Sequence, residues 1–203
     1  MIKLVKPIAY YGQKFGIAVS GGIDSMVALS FLKKYPQNNF DVFHVNHGSE
    51  YDIKAEQFVR DYCSDNKINC HVYCINTKKP KGCSWEEHWR NERYKFLHSH
   101  ELEIMTAHTL DDNVETWLFY SMHGSPRIIP YRKKNVIRPF MLTTKNEFKK
   151  YAKSNGVQWL EDPSNRDTNF NRNQIRHNII PQALKVNPGL FKVIAKKVRE
   201  ENE

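Results

Sequence analysis

The sequence contains no run of ~18 apolar residues, so it offers no candidate for a membrane-crossing helix. Its cysteines are few, Cys63, Cys70, Cys74 and Cys83, and none forms a C-x-x-C pair. Such usage is sparse for a disulfide framework and lacks zinc or iron–sulfur ligand spacing, which favours reduced, packing thiols. Acidic charge is also short: 22 Asp and Glu stand against 31 Lys and Arg, a net charge of +9. That balance supports a polyanionic partner about as well as it supports a merely solvated basic surface. No internal repeat or low-complexity tract is present. The opening "MIKLVKPIAYYGQ" carries Lys6 and Pro7 inside a short apolar patch, which makes a poor signal peptide. A cytoplasmic location is the expectation.

What is present suits one α/β core. The chain has 203 residues, 40% hydrophobic and 12% aromatic, enough to bury a sizeable interior. Apolar runs alternate with segments of helical period. "FGIAVS", "FDVFHVNH", "NCHVYCI", "EIMTAH" and "NVIRPF" read as strands, the last ended by Pro139. Between them "DSMVALSFLKKY", "DIKAEQFVRDYCSDN", "SWEEHWRNERYKFLHSH" and "DDNVETWLFYSM" read as helices. Asp52 is the expected N-cap of the second helix, with Ala55, Phe58, Val59 and Tyr62 on its apolar stripe. Ser84 and Glu87 predict a capping box for the third. Such alternation implies a parallel sheet covered on both faces. From "TTKNEFKKYAKSNG" onward the pattern turns to helices and a polar loop, "EDPSNRDTNFNRNQ". The expected division is a domain over residues 1–143 and a helical extension over 144–203.

"SGGIDS" stands where the first strand ends and the first helix begins. Ligands of open parallel sheets bind beyond such strand ends. Gly21 and Gly22 let the backbone approach an anion, and the amides that follow, Ile23 included, point at it with the helix dipole. Ser20 and Ser25 add hydroxyls. Asp24 suits a Mg²⁺ ligand or a polar positioner. A Walker A loop is excluded, because Gly22 stands where lysine belongs, and no G-x-G-x-x-G is present. A ligand-free turn explains a bare Gly-Gly; the full six-residue string after a branched apolar strand favours a ligand.

Three further segments reach the same rim. "HVNH" ends the second strand with Asn46 and His47. "TAHTLDDNVET" ends the fourth at His108 and opens a helix with Asp111, Asp112 and Glu115. Two carboxylates at a helix N-terminus serve as caps without any function. Convergent with His108, they also suit a Mg²⁺ ion or the ammonium of an amine substrate. "WRNERYKFL" places Arg90 and Arg93 on an aromatic-rich helix, either solvated or clamping a phosphate.

"SGGIDS" resembles the PP-loop of the N-type ATP pyrophosphatases, which cleave ATP between its α- and β-phosphates. Together with "HVNH", "RNERY", "TAHTLDDNVET", "VIRPF" and "WLEDPSN...FNRNQIRHNIIP", the chain resembles the tRNA(Ile)-lysidine synthetase family. The likeness spans residues 15–181. It departs at "HGSE", at Thr109 and at "MHGSPR", where His123 and Pro126 replace the family's arginine and glycine. The resemblance implies a Rossmann-like fold that uses ATP and Mg²⁺. It implies adenylation of the wobble cytidine of a tRNA(Ile) with a CAU anticodon, followed by attack of free lysine. Asp24 or the Asp111/Asp112 pair then suits the base; Arg93, Arg172 and Arg176 are the candidate phosphate or tRNA contacts, with plain helix-surface charge the other reading of Arg172 and Arg176. Little follows Pro181, so a separate C-terminal tRNA-binding domain like the family's is expected to be missing. Dimerisation, or the anticodon stem-loop alone, is expected to make up that surface. The competing expectations are a tRNA 2-thiolation enzyme, an NAD-synthetase-like amidotransferase and a catalytically idle tRNA-binding relative.

Overall fold

The computed structural model describes residues 1–8, 13–163 and 171–202. The first half runs β1 (Lys14–Ala18), α1 (Ile23–Lys33), β2 (Asn39–Asn46), α2 (Glu50–Asp65), β3 (Cys70–Cys74) and α3 (Trp85–His98). There follow β4 (Ile104–Met105), α4 (Leu110–Met122), β5 (Arg132–Lys133), β6 (Val136–Ile137) and α5 (Lys145–Ser154). The chain closes with α6 (Asn171–Gln174), a π-helical turn (Ile175–Ile179), α7 (Ile180–Val186) and α8 (Leu190–Glu200).

The strands form one six-stranded sheet in the order β3-β2-β1-β4-β6-β5. All neighbours are parallel except β5 and β6. Chain order reverses beside β1: the path moves out through β2 and β3, then returns to β4 on β1's other side. That is the switch point at which open α/β sheets bind ligands. Residues with no side chain decide some of the packing. A Cβ on Gly16 would meet the Phe43 ring at 2.5 Å and Ile104 at 3.0 Å, so glycine lets that ring cross the middle of the sheet.

The largest core cluster joins Phe15, Ile17 and Val19 of the β1 segment to Met26, Val27, Leu29 and Leu32 of α1. Helix α1 is buried on most sides, with Ser25, Met26, Val27, Ala28, Leu29 and Leu32 all inside. Helix α5 belongs to the same core through Phe148 and Ala152, with Phe148 edge-on to Phe140 at 5.8 Å. A second cluster packs α4 against Ile175, Ile180, Leu190, Ile194 and Val198. The C-terminal helices therefore brace the helix that carries Asp111, Asp112 and Glu115.

Local chemistry corrects two readings. Ser49, not Asp52, is the N-cap of α2; Asp52 is the N3 partner in a capping box with it. At α3 the Ser84 hydroxyl accepts from the Glu87 amide, the Ser84 half of the expected box. The "EIMTAH" and "NVIRPF" strands shorten to two residues each, and the β5–β6 hairpin adds an antiparallel edge that the alternation did not announce. No described helix is long and apolar enough to cross a membrane.

Candidate active site

The phosphate-type loop is built by one hydroxyl. Ser25 Oγ donates to the Gly22 carbonyl at 2.9 Å and accepts from the Ser20 amide at 3.1 Å, folding the loop back over the start of α1. Gly21 lies at φ +85°, a backbone state that side-chain-bearing residues rarely adopt. Its carbonyl accepts from Leu160 N at 2.9 Å, so the segment after α5 clamps the loop from outside. The first-turn N–H groups of α1 have no acceptor within the helix and carry the positive end of its dipole.

A cavity of about 270 Å³ opens beside this loop at the β1/β4 switch point. Ser20, Asp24, Ser25, His47, Arg93, His108, Asp112 and Arg172 line it, together with Phe43, Tyr94 and Thr106. Residues from five separate sequence segments thus meet in one place. The remaining expected residues stand around it. Gly21, Gly22 and Ile23 form the turn itself. Glu115 is buried behind Asp112 and grips Arg176 through both oxygens, at 2.7 and 3.1 Å. Asp111 accepts from the Lys145 amide at 2.8 Å. Asn46 faces Glu56 and the Gly48 amide, at 2.8 and 2.7 Å. Arg90 lies over the Tyr94 ring, 5.4 Å from its centroid. Arg172 pairs with Glu86 at 3.4 Å, and His47 with Asp52 at 3.1 Å. Residues 164–170 of the "EDPSN" segment lie outside the described residues.

Sequence reading missed the centre of the acid cluster. Lys145, the first residue of α5, holds its Nζ 3.3 Å from Asp112 and 3.9 Å from both Asp24 and Glu115. Burial works against its charge, but the surrounding carboxylates prevail and raise its pKa. Burial likewise lifts Asp24 to about 7, with Lys145 opposing and Asp112 and Asp111 reinforcing the rise. Asp112 goes the other way: burial would raise it, but Lys145, His108 and the Thr109 cap hold it below the usual carboxylate range. Burial drives His108 well below its ordinary value, so the imidazole is neutral at pH 7. Its Nδ1 meets Thr106 Oγ1 at 2.8 Å. Neighbouring carboxylates are thus pushed apart, one ionised and one poised near neutrality.

Arginines surround the far wall. Arg93 is depressed first by burial, then by Arg90, Arg172 and Arg138 nearby. Arg138 is buried and donates to the Tyr94 hydroxyl at 2.8 Å. An anion in the cavity would therefore meet helix amides on one side and guanidinium groups on the other.

Loop, switch-point cavity and sheet order together define an ATP-using α/β domain, and the PP-loop domain family matches residues 1–183. The chain belongs to that family. It is 30% identical over 202 residues to the tRNA(Ile)-lysidine synthase of Photobacterium profundum, covering 92% of this chain and 46% of that protein. With the namesake of Pseudothermotoga lettingae it shares 34% identity over 197 residues, 88% of this chain and 43% of the other. The chain thus spans less than half the length of these relatives. Among solved structures, a U34-tRNA thiolase from Methanococcus maripaludis superposes with a TM-score of 0.76 at 17% identity, over 93% of this chain and 71% of that one. An NH3-dependent NAD synthetase from Campylobacter jejuni does so at 0.50 and 12% identity, over 95% and 86%. These two likenesses concern the fold.

Proposed function

We propose that the protein modifies tRNA(Ile) by adenylating C2 of the wobble cytidine with ATP and ligating free lysine there to give lysidine. One observation carries the reading: a single cavity joins an anion-binding loop to a carboxylate cluster that already holds an ammonium, that of Lys145. ATP and an amine are the two reactants such a site suits. The likeness to lysidine synthases, at 30% and 34% identity, supports the choice of acceptor.

In this mechanism the C2 oxygen of the cytidine attacks the α-phosphorus of ATP, and pyrophosphate leaves toward the amides of the Ser20–Ser25 loop. Arg93 and Arg172, on the opposite wall, offset charge on the nucleotide or the tRNA backbone. The lysine ε-ammonium is received by the ionised Asp112, passes one proton to the Asp24 carboxylate, and its freed nitrogen attacks C2. The C–O bond to AMP then breaks, and the oxygen departs with AMP. His108, neutral, hydrogen-bonds without adding charge.

Mg²⁺ fits this site. Asp24 Oδ1 is buried and has no hydrogen-bond partner among the described residues. Asp24, with Asp112 beside it, would hold the ion, whose chemistry is to neutralise phosphate charge. No group of three His, Cys, Asp or Glu side chains among the described residues forms a complete cage. A metal-bound Asp24 is no base, so the two roles exclude one another at any moment.

The test is to incubate protein, ATP, Mg²⁺ and labelled lysine with a CAU-anticodon tRNA(Ile), then digest the tRNA and identify the wobble nucleoside by mass. Lysidine is expected. Bound tRNA and ATP with an unchanged cytidine would favour an idle tRNA-binding relative instead, and sulfur incorporation would favour thiolation.

A further inference from the structure

Two tryptophans that no part of this mechanism uses stand on the outer face of α3. Trp85 is 53% exposed, although exposed tryptophan carries a large apolar area into water. Its ring lies 5.6 Å from that of Trp89, tilted by 32°. Trp89 in turn sits 5.5 Å from the His47 ring. His47 lines the cavity. An aromatic path therefore runs from the cavity wall to the surface, its rings in tilted contact, by 48° between His47 and Trp89.

Positive charge follows the same path. Lys79 Nζ lies 5.7 Å over the Trp85 ring, at the outer end. Lys78 and Lys81 are exposed on the same short loop, "TKKPKG". The loop is fastened to α3 rather than loose. His88 Nε2 meets the Thr77 carbonyl and hydroxyl at 3.2 and 3.3 Å, and Lys79 donates to the Cys83 carbonyl at 2.6 Å. Of the acids nearby, Glu86 is paired with Arg172, and Glu87 faces the Cys83 thiol, whose pKa it helps to raise. Asp52 is paired with His47 at the inner end, so the lysines gather at the outer end, beside Trp85.

A run of touching aromatic rings, exposed at Trp85, edged with lysine and opening from a nucleotide-sized cavity, matches the physics of single-stranded nucleic-acid binding. Bases stack on aromatic faces while cations follow the backbone. We propose that His47, Trp89 and Trp85 form a stacking track for unpaired RNA nucleotides adjacent to the base that enters the cavity. Lys78, Lys79 and Lys81 meet the phosphates of that strand. The track deepens the reading above and rests on it only for the assumption that a base occupies the cavity.

The test measures binding of an RNA stem-loop with an unpaired loop, against a fully paired duplex of matched length, by fluorescence anisotropy. Trp85→Ala should weaken stem-loop binding roughly 5- to 150-fold, the range for one lost base–aromatic stack. Trp85→Phe should recover most of it, and duplex binding should not change. A nucleotide-binding assay on each variant serves as the fold control. A second arm uses the unaltered protein: stem-loops abasic beside the target nucleotide should bind as weakly as Trp85→Ala binds the intact loop. On them, Trp85→Ala should cost nothing further. Equal loss on duplex and loop, or no loss from either alanine or abasic substitution, would overturn the track. Trp85-dependent loop binding without lysine transfer would refute the lysidine reading alone and leave the track standing.

Discussion

Asp24 and Lys145 set the electrostatics of the site, and each makes a separate prediction. Asp24 titrates at 3.8 when unperturbed and at about 7 in the folded protein. A raised carboxyl contributes stability that is full below pH 3.8 and is lost as pH rises through about 7. At pH 8 the ionised group therefore burdens the fold, as functional residues often do. Asp24→Asn is expected to raise the Tm at pH 8, without divalent ions, by ~2 °C or more while abolishing ATP turnover. A lower Tm would contradict the burial argument. Lys145→Met leaves Asp24, Asp112 and Glu115 without their common cation. Removing one partner of a buried pair costs ~3–5 kcal/mol, and Lys145, 23% exposed, should fall at the low end. Urea unfolding should show that loss at pH 8 and a smaller one at pH 5, where freed carboxylates protonate. Asp52 supplies the opposite sign. Burial would raise it, but His47 and Ser49 hydrogen bonds hold it at about 2. Its contribution is present above pH 3.8 and lost as pH falls through 2, so Asp52→Asn should flatten the acid limb of the stability profile.

At the scale of elements, the site depends on how α1, α4 and α5 start. Helices α1 and α4 begin at the cavity and α5 beside its carboxylates, and α4 and α5 carry reciprocal capping boxes, Thr109 with Asp112 and Thr144 with Glu147. Asp112 is thus both a cap and a wall of the cavity, which explains why the sequence alone left both readings open. Helix α5 is locked to the core by Phe148, fully buried; Phe148→Ala should cost ~3–5 kcal/mol by chemical denaturation and displace Lys145. The long strands β1, β2 and β3 and the helices between them were legible because their apolar period is strong. The β5–β6 hairpin was not: Arg132 and Lys133 are exposed, so no alternation marks them, and its turn rests on Lys134 at φ 54°. The π-helical turn had no signal either. It precedes Pro181, which lacks an N–H for the regular ladder, and it carries Arg176 to Glu115. Lys145 escaped notice because a salt bridge across the fold leaves no local pattern. Motif spacing, by contrast, pointed to Ser20, Asp24, Ser25, His47, Arg93, His108, Asp112 and Arg172, all of which line the cavity.

For the whole molecule, the net charge of +9 and the guanidinium-lined cavity predict binding governed by phosphate contacts. The logarithm of tRNA affinity should fall linearly with the logarithm of salt, by ~0.7 to 0.9 per phosphate neutralised. Arg172→Ala should reduce that slope by about one such contact. As proposed, one cavity couples ATP cleavage to lysine transfer on tRNA. A single reaction with CAU-anticodon tRNA(Ile), in which AMP, pyrophosphate and labelled lysine are followed together, tests that coupling. AMP and pyrophosphate should form in equal amounts, both dependent on tRNA, with one lysine incorporated for each AMP. AMP and pyrophosphate released at full rate without tRNA, or released with tRNA while no lysine is incorporated, would contradict it.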